Sequence, residues 1–414
     1  MAIRKRHFII NIIRLILAAL FIFSGFVKAV DPWGTAIKFG DYFTAFGMEW
    51  LSGAKMLLSI FLSSVELLLG LLLLFNIKVK TTSFFLMVFM AVFTVVALIS
   101  AITNPVSDCG CFGEAIKLTN WQTFYKNLVF LPLSIILFIG VSRELKKKNC
   151  NSEIFFILLL LGISFYPAIN SYIHLPVIDF LPFKTGVNIQ QNMSVPEGAS
   201  MGEYKTVLTY KNLESGELHD FVLEDTTWHD DSVWEFVDSR SEEITKGYEP
   251  EIGDFTIFSG TENITYNILN NRREVFIFVF ENPSEIKKEY LDRIRKTVDF
   301  ALSTGGRAIY ITSGSVNNLV LQQHGIIIDG YNMDATTLKM LLRACNGLVI
   351  LNEGTIISKW NLSDIPDFGD SVSATAFSIK EKRIDRQKNF IVSLSVITLL
   401  LLILYYRACR KKTF

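Results

Sequence analysis

Two cysteines one residue apart, Cys109 and Cys111 in Ser107-Asp108-Cys109-Gly110-Cys111-Phe112-Gly113, are the side chains best suited to chemistry in this chain. They lie in a short loop between two apolar runs long enough to cross a bilayer. Thiols at this spacing form a disulfide, exchange one with another protein, or bind a metal. A disulfide between them closes a very small ring, and a strained ring is easily reduced. Such a pair suits a donor of oxidising equivalents, and a brace that holds the loop together is the structural alternative. Zinc is poorly served, because neither a His nor a second Cys pair stands nearby in the sequence. Asp108 beside the thiols is expected to raise their pKa by like-charge repulsion.

The elements that position this loop follow from hydropathy. The chain has 414 residues, half of them hydrophobic, and a mean hydropathy of +0.36, too apolar for an ordinary soluble protein of this length. Lys plus Arg and Asp plus Glu number 40 each, so no basic excess points to nucleic acid. A membrane helix needs about 20 mostly apolar residues. Six runs meet or approach that length: 8–30, 54–75, 82–103, 124–141, 154–175 and 390–406. Basic clusters mark alternate ends of these runs, at Arg4-Lys5-Arg6, Lys78 with Lys80, Arg143 with Lys146 to Lys148, and Arg407 with Arg410 to Lys412. With six spans all four clusters fall on one side, the cytoplasmic one. Both termini are then cytoplasmic, and the cysteine loop and the large polar stretch between the fifth and sixth runs face outward. The first run is expected to be an uncleaved span. It is longer than a signal-peptide core, carries Arg14, and has Lys28 where a small-residue cleavage site belongs.

Cysteine usage agrees with that topology. Cys150 and Cys409 lie at cytoplasmic ends, where thiols stay reduced, whereas Cys109, Cys111 and Cys345 face the oxidising side. Residues 1–150 are expected to form a four-span bundle, because short connections favour antiparallel neighbours. Residues 151–183 carry the fifth span and its connection, and 184–247 read as β-rich. Residues 248–367 read as α/β, with strands at 275–280, 308–312, 326–329, 347–351 and 355–360, and helices at 283–302, 315–324 and 336–344. Asn352-Glu353-Gly354 is the expected turn of a closing hairpin. Residues 368–414 are a linker and the last span.

Within the membrane, Glu66 near the middle of the second span is costly unless paired. Arg14, at a compatible depth in the first span by simple rise per residue, is the expected partner. A proton or quinone-site role for Glu66 is the alternative. Lys28, Asp31 and Lys126 lie toward the outer surface and are expected to form a polar cluster beneath the cysteine loop, with Lys28 free to snorkel. The five His residues are scattered, so no metal cluster is apparent. Three Asn-X-Ser/Thr triplets, at Asn192, Asn263 and Asn361, are weak signals.

Residues 1–141 resemble the DoxX/MauE group of membrane proteins. The resemblance rests on Phe23-Ser24-Gly25-Phe26-Val27-Lys28 followed by Asp31-Pro32, on Glu66, and on Asp108-Cys109-Gly110-Cys111-Phe112-Gly113. The whole arrangement looks like a Bacteroides-type member with an added thioredoxin-like domain outside the membrane. The resemblance implies disulfide handling during maturation of periplasmic proteins, and a bundle similar to that of vitamin K epoxide reductase relatives. Their second, membrane-embedded Cys pair has no counterpart here, so only part of a thiol-to-quinone relay is implied. In the thioredoxin-like order the active dithiol would follow strand 275–280, where this chain reads Glu281-Asn282-Pro283-Ser284-Glu285-Ile286. Asn346 stands where a cis-proline would be expected, with Cys345 beside it. Both departures point to a docking module. Cys345 is then either a free thiol or a partner in a mixed disulfide with a client or with the cysteine loop.

The expected protein is a multi-pass protein of the bacterial inner membrane. It combines a helical bundle of four spans plus two with a periplasmic α/β thioredoxin-like domain. Cys109 and Cys111 are the expected exchanging pair, with Asp108, Lys28, Glu66, Arg14 and Cys345 as accessories. Membrane lipid and periplasmic client or partner proteins are the expected partners, in a membrane complex or alone. No cofactor is evident, and a membrane quinone is a candidate acceptor. Two other classes stay open: a non-enzymatic scaffold that displays the α/β domain to an envelope complex, and a quinone-linked subunit like the thiosulfate-oxidising relatives of DoxX.

Overall fold

The computed structural model describes residues 2–106, 108–144, 153–196, 198–199, 203–222, 230, 232–245, 248, 250–317, 319–369, 372–380, 390–398 and 400–401. Helix α1 (Ala2–Val30) is followed by α2 (Pro32–Ala45), α3 (Lys55–Leu74), α4 (Val79–Thr103), α5 (Asn120–Glu144) and α6 (Glu153–Ile173). Among the described residues five helices are long and apolar enough to cross a membrane: Lys5–Val30, Glu49–Leu74, Val79–Thr103, Asn120–Val141 and Ile154–Ile173. The sixth expected run, 390–406, lies partly outside the described residues, and its portion 390–398 is helical. Cys150 and Cys409 also lie outside them.

The closest helix pairing in the bundle is α1 against α3, and glycine makes it possible. A Cβ on Gly25 would lie 2.4 Å from the Leu67 backbone nitrogen, and one on Gly70 would lie 2.7 Å from that of Ile22. Small residues let membrane helices approach to backbone contact. Ser59, Ser63 and Ser64 of α3 are buried in the same helix. These two contacts also fix the antiparallel register of α1 and α3.

That register overturns the expected Glu66–Arg14 pair. Glu66 instead forms an ion pair with Lys28, both about 7% exposed. Arg14 donates to the carbonyl oxygens of Leu73 and, at 3.0 Å, Leu74, at the C-terminal end of α3. Guanidinium charge there complements the unpaired carbonyls and the negative end of the helix dipole. With Leu67 opposite Gly25, the level of Glu66 on α1 lies about 12 residues, roughly 18 Å, above Arg14. Rise per residue compared depths within each helix, whereas the pairing depends on how the two helices are offset.

Helix α2 was not expected from the sequence. Asp31 caps it, its Oδ1 accepting from the Gly34 backbone N–H at 2.9 Å, and Pro32 occupies the first turn. The helix lies between the first two spans and brings Lys38 and Tyr42 to the cysteine loop.

Residues 187–255 form a separate unit, where the sequence predicts a β-rich segment over 184–247. It contains the short helix α7 (Ile189–Met193) and strands β1 (Glu203–Asn212), β2 (Leu218–Val222) and β3 (Trp234–Thr245). They form an antiparallel sheet in the order β2-β1-β3.

The α/β domain follows, with β4 (Ile257–Ser259), β5 (Glu262–Asn263), α8 (Thr265–Leu269), β6 (Val275–Phe280), α9 (Lys288–Ser303), β7 (Arg307–Thr312), α10 (Leu319–Gln323), β8 (Asp329–Met333), α11 (Ala335–Leu341), β9 (Asn346–Asn352), β10 (Thr355–Asn361) and α12 (Ala374–Lys380). The sheet order is β10-β9-β6-β7-β8-β4-β5. Strands β6, β7 and β8 are mutually parallel, and β9 runs antiparallel to β6. All six side chains of β6 are buried, as a central strand covered on both faces requires. Leu291, Ile294, Val298 and Ala301 of α9 lie at helical spacing and pack on Phe276, Phe278 and Phe280. The β9–β10 turn takes positive φ at Glu353 and Gly354, 47° and 71°, as a two-residue hairpin demands.

Three local expectations shift. The third strand of the domain is Asp329–Met333, not 326–329. The helix expected at 315–324 is only Leu319–Gln323. The stretch 283–302 begins as a 3-10 turn, Pro283–Glu285, before α9. Short apolar pieces of this length carry little periodicity, and their pairing partners decide them.

Candidate thiol site in the bundle

The site is built from four segments that converge on the cysteine loop. Gly110 holds a left-handed φ of 65° between the two cysteines, a conformation that disfavours any side chain. The Gly113 N–H closes the turn onto the Gly110 carbonyl at 3.0 Å. Asn120 at the head of α5 braces the loop, donating to Asn104 Oδ1 at 2.9 Å and the Val106 carbonyl at 2.8 Å. From α1, the Ser24 hydroxyl donates to the Cys111 carbonyl at 2.8 Å. Cys109 and Cys111 are free thiols with their sulfurs 3.1 Å apart.

A cavity of about 310 Å3 lies against the pair. Its walls are mainly aromatic and aliphatic side chains of α1 to α5. Its polar groups include the two thiols, Lys28, Glu66, Lys38, Tyr42 and Lys126. Five residues singled out in the sequence, Cys109, Cys111, Lys28, Glu66 and Lys126, thus share one cavity. Lys126 Nζ stands 4.3 Å over the Phe112 ring. The buried Thr35 hydroxyl in the cavity wall has no protein partner.

The charges around the thiols divide them. The hydrogen bond from Cys109 is the first cause that lowers Cys111, to about 6, against the opposing effect of burial; Lys126 and Lys28 add to the lowering. Cys109 is raised, first by that same hydrogen bond and then by burial. The pair gives up one proton readily and the second with difficulty. The repulsive effect expected of Asp108 is corrected by its surroundings. Its carboxylate is paired with Lys38 at 2.8 Å and accepts from the Gly110 N–H at 3.1 Å, so its charge holds the loop.

Asp31 does not join the polar cluster under the loop. It pairs with Arg343 of the α/β domain, Oδ2 to Nε at 3.2 Å. Cys345 is exposed, on the turn that leads into β9. The Glu281 backbone N–H donates to the Cys345 carbonyl at 3.0 Å and to Asn346 Oδ1 at 3.3 Å. The segment after β6 and the Cys345–Asn346 turn are therefore adjacent. Partial burial, then the Glu281 carboxylate, push the Cys345 thiol up to about 11. Among the described residues no three His, Cys, Asp or Glu side chains converge on a point that a metal ion could occupy.

Lys38, Tyr42, Glu114 and Arg343 escaped the sequence reading. A signal for the first two existed in Asp31-Pro32, a cap and first-turn pair that announces a helix. For Arg343 and Glu114, 229 residues apart, no local pattern carries the information.

The fold and the site define a multi-pass membrane protein whose helical bundle presents a paired-thiol loop over an internal cavity. Residues 6–140 match the family described as Methylamine utilisation protein MauE, and this bundle is a MauE-like membrane domain. The chain is also similar to "Protein TlpB" of Flavobacterium psychrophilum, 26% identical over 178 residues, which is 42% of this chain and 46% of that protein. The chain thus spans about half the length of that curated relative. No solved structure matches.

Proposed function

We propose that this protein carries out thiol–disulfide exchange for extracytoplasmic client proteins, with Cys109 and Cys111 as the exchanging pair. The observation that carries the proposal is the placement of both thiols on one cavity that also contains Lys28, Glu66 and Lys126. In the oxidising direction, a client thiolate attacks the Cys109–Cys111 disulfide and forms a mixed disulfide with one sulfur. The second client thiol then displaces that sulfur, which leaves the client disulfide and the loop dithiol. Cys111, the sulfur of lower pKa, is the better leaving group.

Reoxidation of the dithiol needs an acceptor of two electrons and two protons. A membrane quinone suits the cavity: the walls are mainly apolar and aromatic, three lysines line it, and the Thr35 hydroxyl is unpartnered. Bound there, a quinone supplies that two-electron, two-proton acceptor. Lys28 and Lys126 stand beside the thiols, and the ion pair with Glu66 holds Lys28 in place.

The protein belongs, on this reading, in a bacterial inner membrane with both termini cytoplasmic. Lys5, Arg6, Lys78 and Lys80 at the same ends of the first three spans support that orientation. The α/β domain acts as a thioredoxin-like docking module for clients or partners, because the segment after β6 carries no cysteine.

A scaffold without thiol chemistry is favoured by one observation, the exposed Cys345 with its raised pKa, which leaves the α/β domain no reactive dithiol. The two readings separate in intact membranes by acid quenching and mass-tagged alkylation. Exchange expects a Cys109–Cys111 disulfide that opens with mild reductant and re-forms after its removal, and loss of function in Cys109→Ser/Cys111→Ser at normal membrane levels. Full function in that double variant supports the scaffold.

A further inference from the structure

One arginine of the α/β domain reaches into the bundle beside the cysteine loop. Arg343 lies between α11 and β9 and is 5% exposed, as is Asp31. Its Nε faces Asp31 Oδ2 at 3.2 Å, and its Nη2 donates to Glu114 Oε1 at 3.3 Å. Both carboxylates are levers on the thiols. Glu114 is three residues beyond Cys111 in the same loop. Asp31 caps α2, the helix whose Lys38 pairs with Asp108 and whose Tyr42 lines the thiol cavity. The bundle also leaves room for the guanidinium. A Cβ at Gly34, in the first turn of α2, would lie 3.2 Å from Arg343 Nη2 and 2.5 Å from Asp31 Oδ2.

The contact around this arginine is complementary in charge. Lys359 pairs with Asp179 at 2.6 Å and donates to the Phe183 carbonyl at 2.7 Å. Lys339 Nζ lies 5.0 Å over the ring of Trp33, two residues beyond Asp31. Arg343 bridges two carboxylates at once, which suits the forked guanidinium and not a lysine. Without it, Asp31 and Glu114 remain as like charges in a largely buried place, an arrangement that forces either protonation or separation.

We propose that Arg343 is a positioning residue for the thiol pair, pinning Glu114 of the cysteine loop and Asp31 at the head of α2 so that the docked α/β domain sets the geometry in which Cys109 and Cys111 react. This rests on the thiol-exchange reading for its purpose, though the coupling itself is measurable in a protein that does not cycle.

The test is the pH dependence of alkylation of reduced Cys109 and Cys111 in the full-length chain in membranes, with each cysteine resolved by mass spectrometry. In Arg343→Gln the repelled loop separates the sulfurs. The midpoint for Cys111 then rises by about one pH unit toward the ordinary thiol range, and its rate at pH 6 falls about fivefold. Arg343→Lys, able to pair with one carboxylate at a time, falls between. Arg343→Gln/Glu114→Gln returns most of the way to wild type, because the repulsion is gone. A domain that is merely loosened would gain nothing from the second change. An unchanged midpoint in Arg343→Gln, or a double variant no closer to wild type, overturns the proposal. If Arg343→Gln fails to accumulate in membranes, the same comparison is read between wild type, Arg343→Lys and the double variant. A pair that never cycles with reductant yet shows the midpoint shift removes the exchange function and keeps the pin.

Discussion

The cysteine loop of the bundle and the Cys345 turn of the α/β domain hold thiols in opposite electrostatic settings. At the loop a second sulfur lies 3.1 Å away and three lysines share the cavity, and Cys111 is lowered to about 6. At the turn the nearest charged group is the Glu281 carboxylate, and Cys345 is raised to about 11. Lys339, paired with Glu281 at 3.0 Å, and Lys55 pull the thiol down, but burial and the carboxylate outweigh them. The difference teaches that the acidic thiol of this protein lies at the membrane bundle, where the proposed exchange would take place. The α/β domain, which has no cysteine in the segment after β6, contributes Arg343.

The strongest way to break that contrast is to measure alkylation rates at pH 7. The Cys111 thiolate is lost as pH falls through about 6, whereas that of Cys345 is gained only as pH rises toward about 11. Allowing for the lower intrinsic nucleophilicity of an acidic thiol, Cys111 should react about thirty- to ninetyfold faster. Cys111→Ser should leave Cys109, still raised by burial, reacting more slowly than Cys111 does in the unmodified protein. Equal rates for Cys111 and Cys345 in the unmodified protein would end the contrast.

Next in size is Lys28→Met. It leaves Glu66 buried and alone, and breaking a buried pair costs about 3–5 kcal/mol. Thermal unfolding of the detergent-solubilised chain should show the loss, and Lys28→Met/Glu66→Leu should recover most of it. Arg14→Met should leave the Lys28–Glu66 pair intact and spare the cavity.

Lys126→Met removes one cation from the cavity and should slow Cys111 alkylation at pH 6 about threefold, with Cys345 unaffected. Glu281→Gln should sharpen the contrast from the other side. Its effect is to lower the Cys345 midpoint by about half a pH unit, read by pH-dependent alkylation. The smallest effect belongs to Asp108→Asn. Lys38 already offsets that carboxylate, so the Cys111 rate should change by less than about twofold. A tenfold acceleration would restore Asp108 as the repulsive neighbour that its sequence position predicts.

Much of the fold was legible because its signals are local. Apolar runs specify the membrane helices, Asn352-Glu353-Gly354 specifies the β9–β10 hairpin, and 275–280 reads as a buried strand. Helix α2 was missed because its apolar content merges with the spans on either side, although Asp31-Pro32 marks its start. Cys109 and Cys111 were legible from spacing alone, Glu66 from its cost inside a membrane, and Lys28 and Lys126 from their places toward the outer surface.

What the sequence determined by itself is therefore the set of costly groups: two thiols, and charges placed where a bilayer or a core demands partners. Which groups became partners was decided by the tertiary structure. Gly25 and Gly70 set the offset of α1 against α3, and that offset gives Glu66 to Lys28 and leaves Arg14 to the carbonyl end of α3. Docking of the α/β domain brings Arg343 to Glu114 across 229 residues. Hydropathy and propensity act over a few residues along the chain. Ion pairing acts over a few ångströms in space, and only packing converts one into the other.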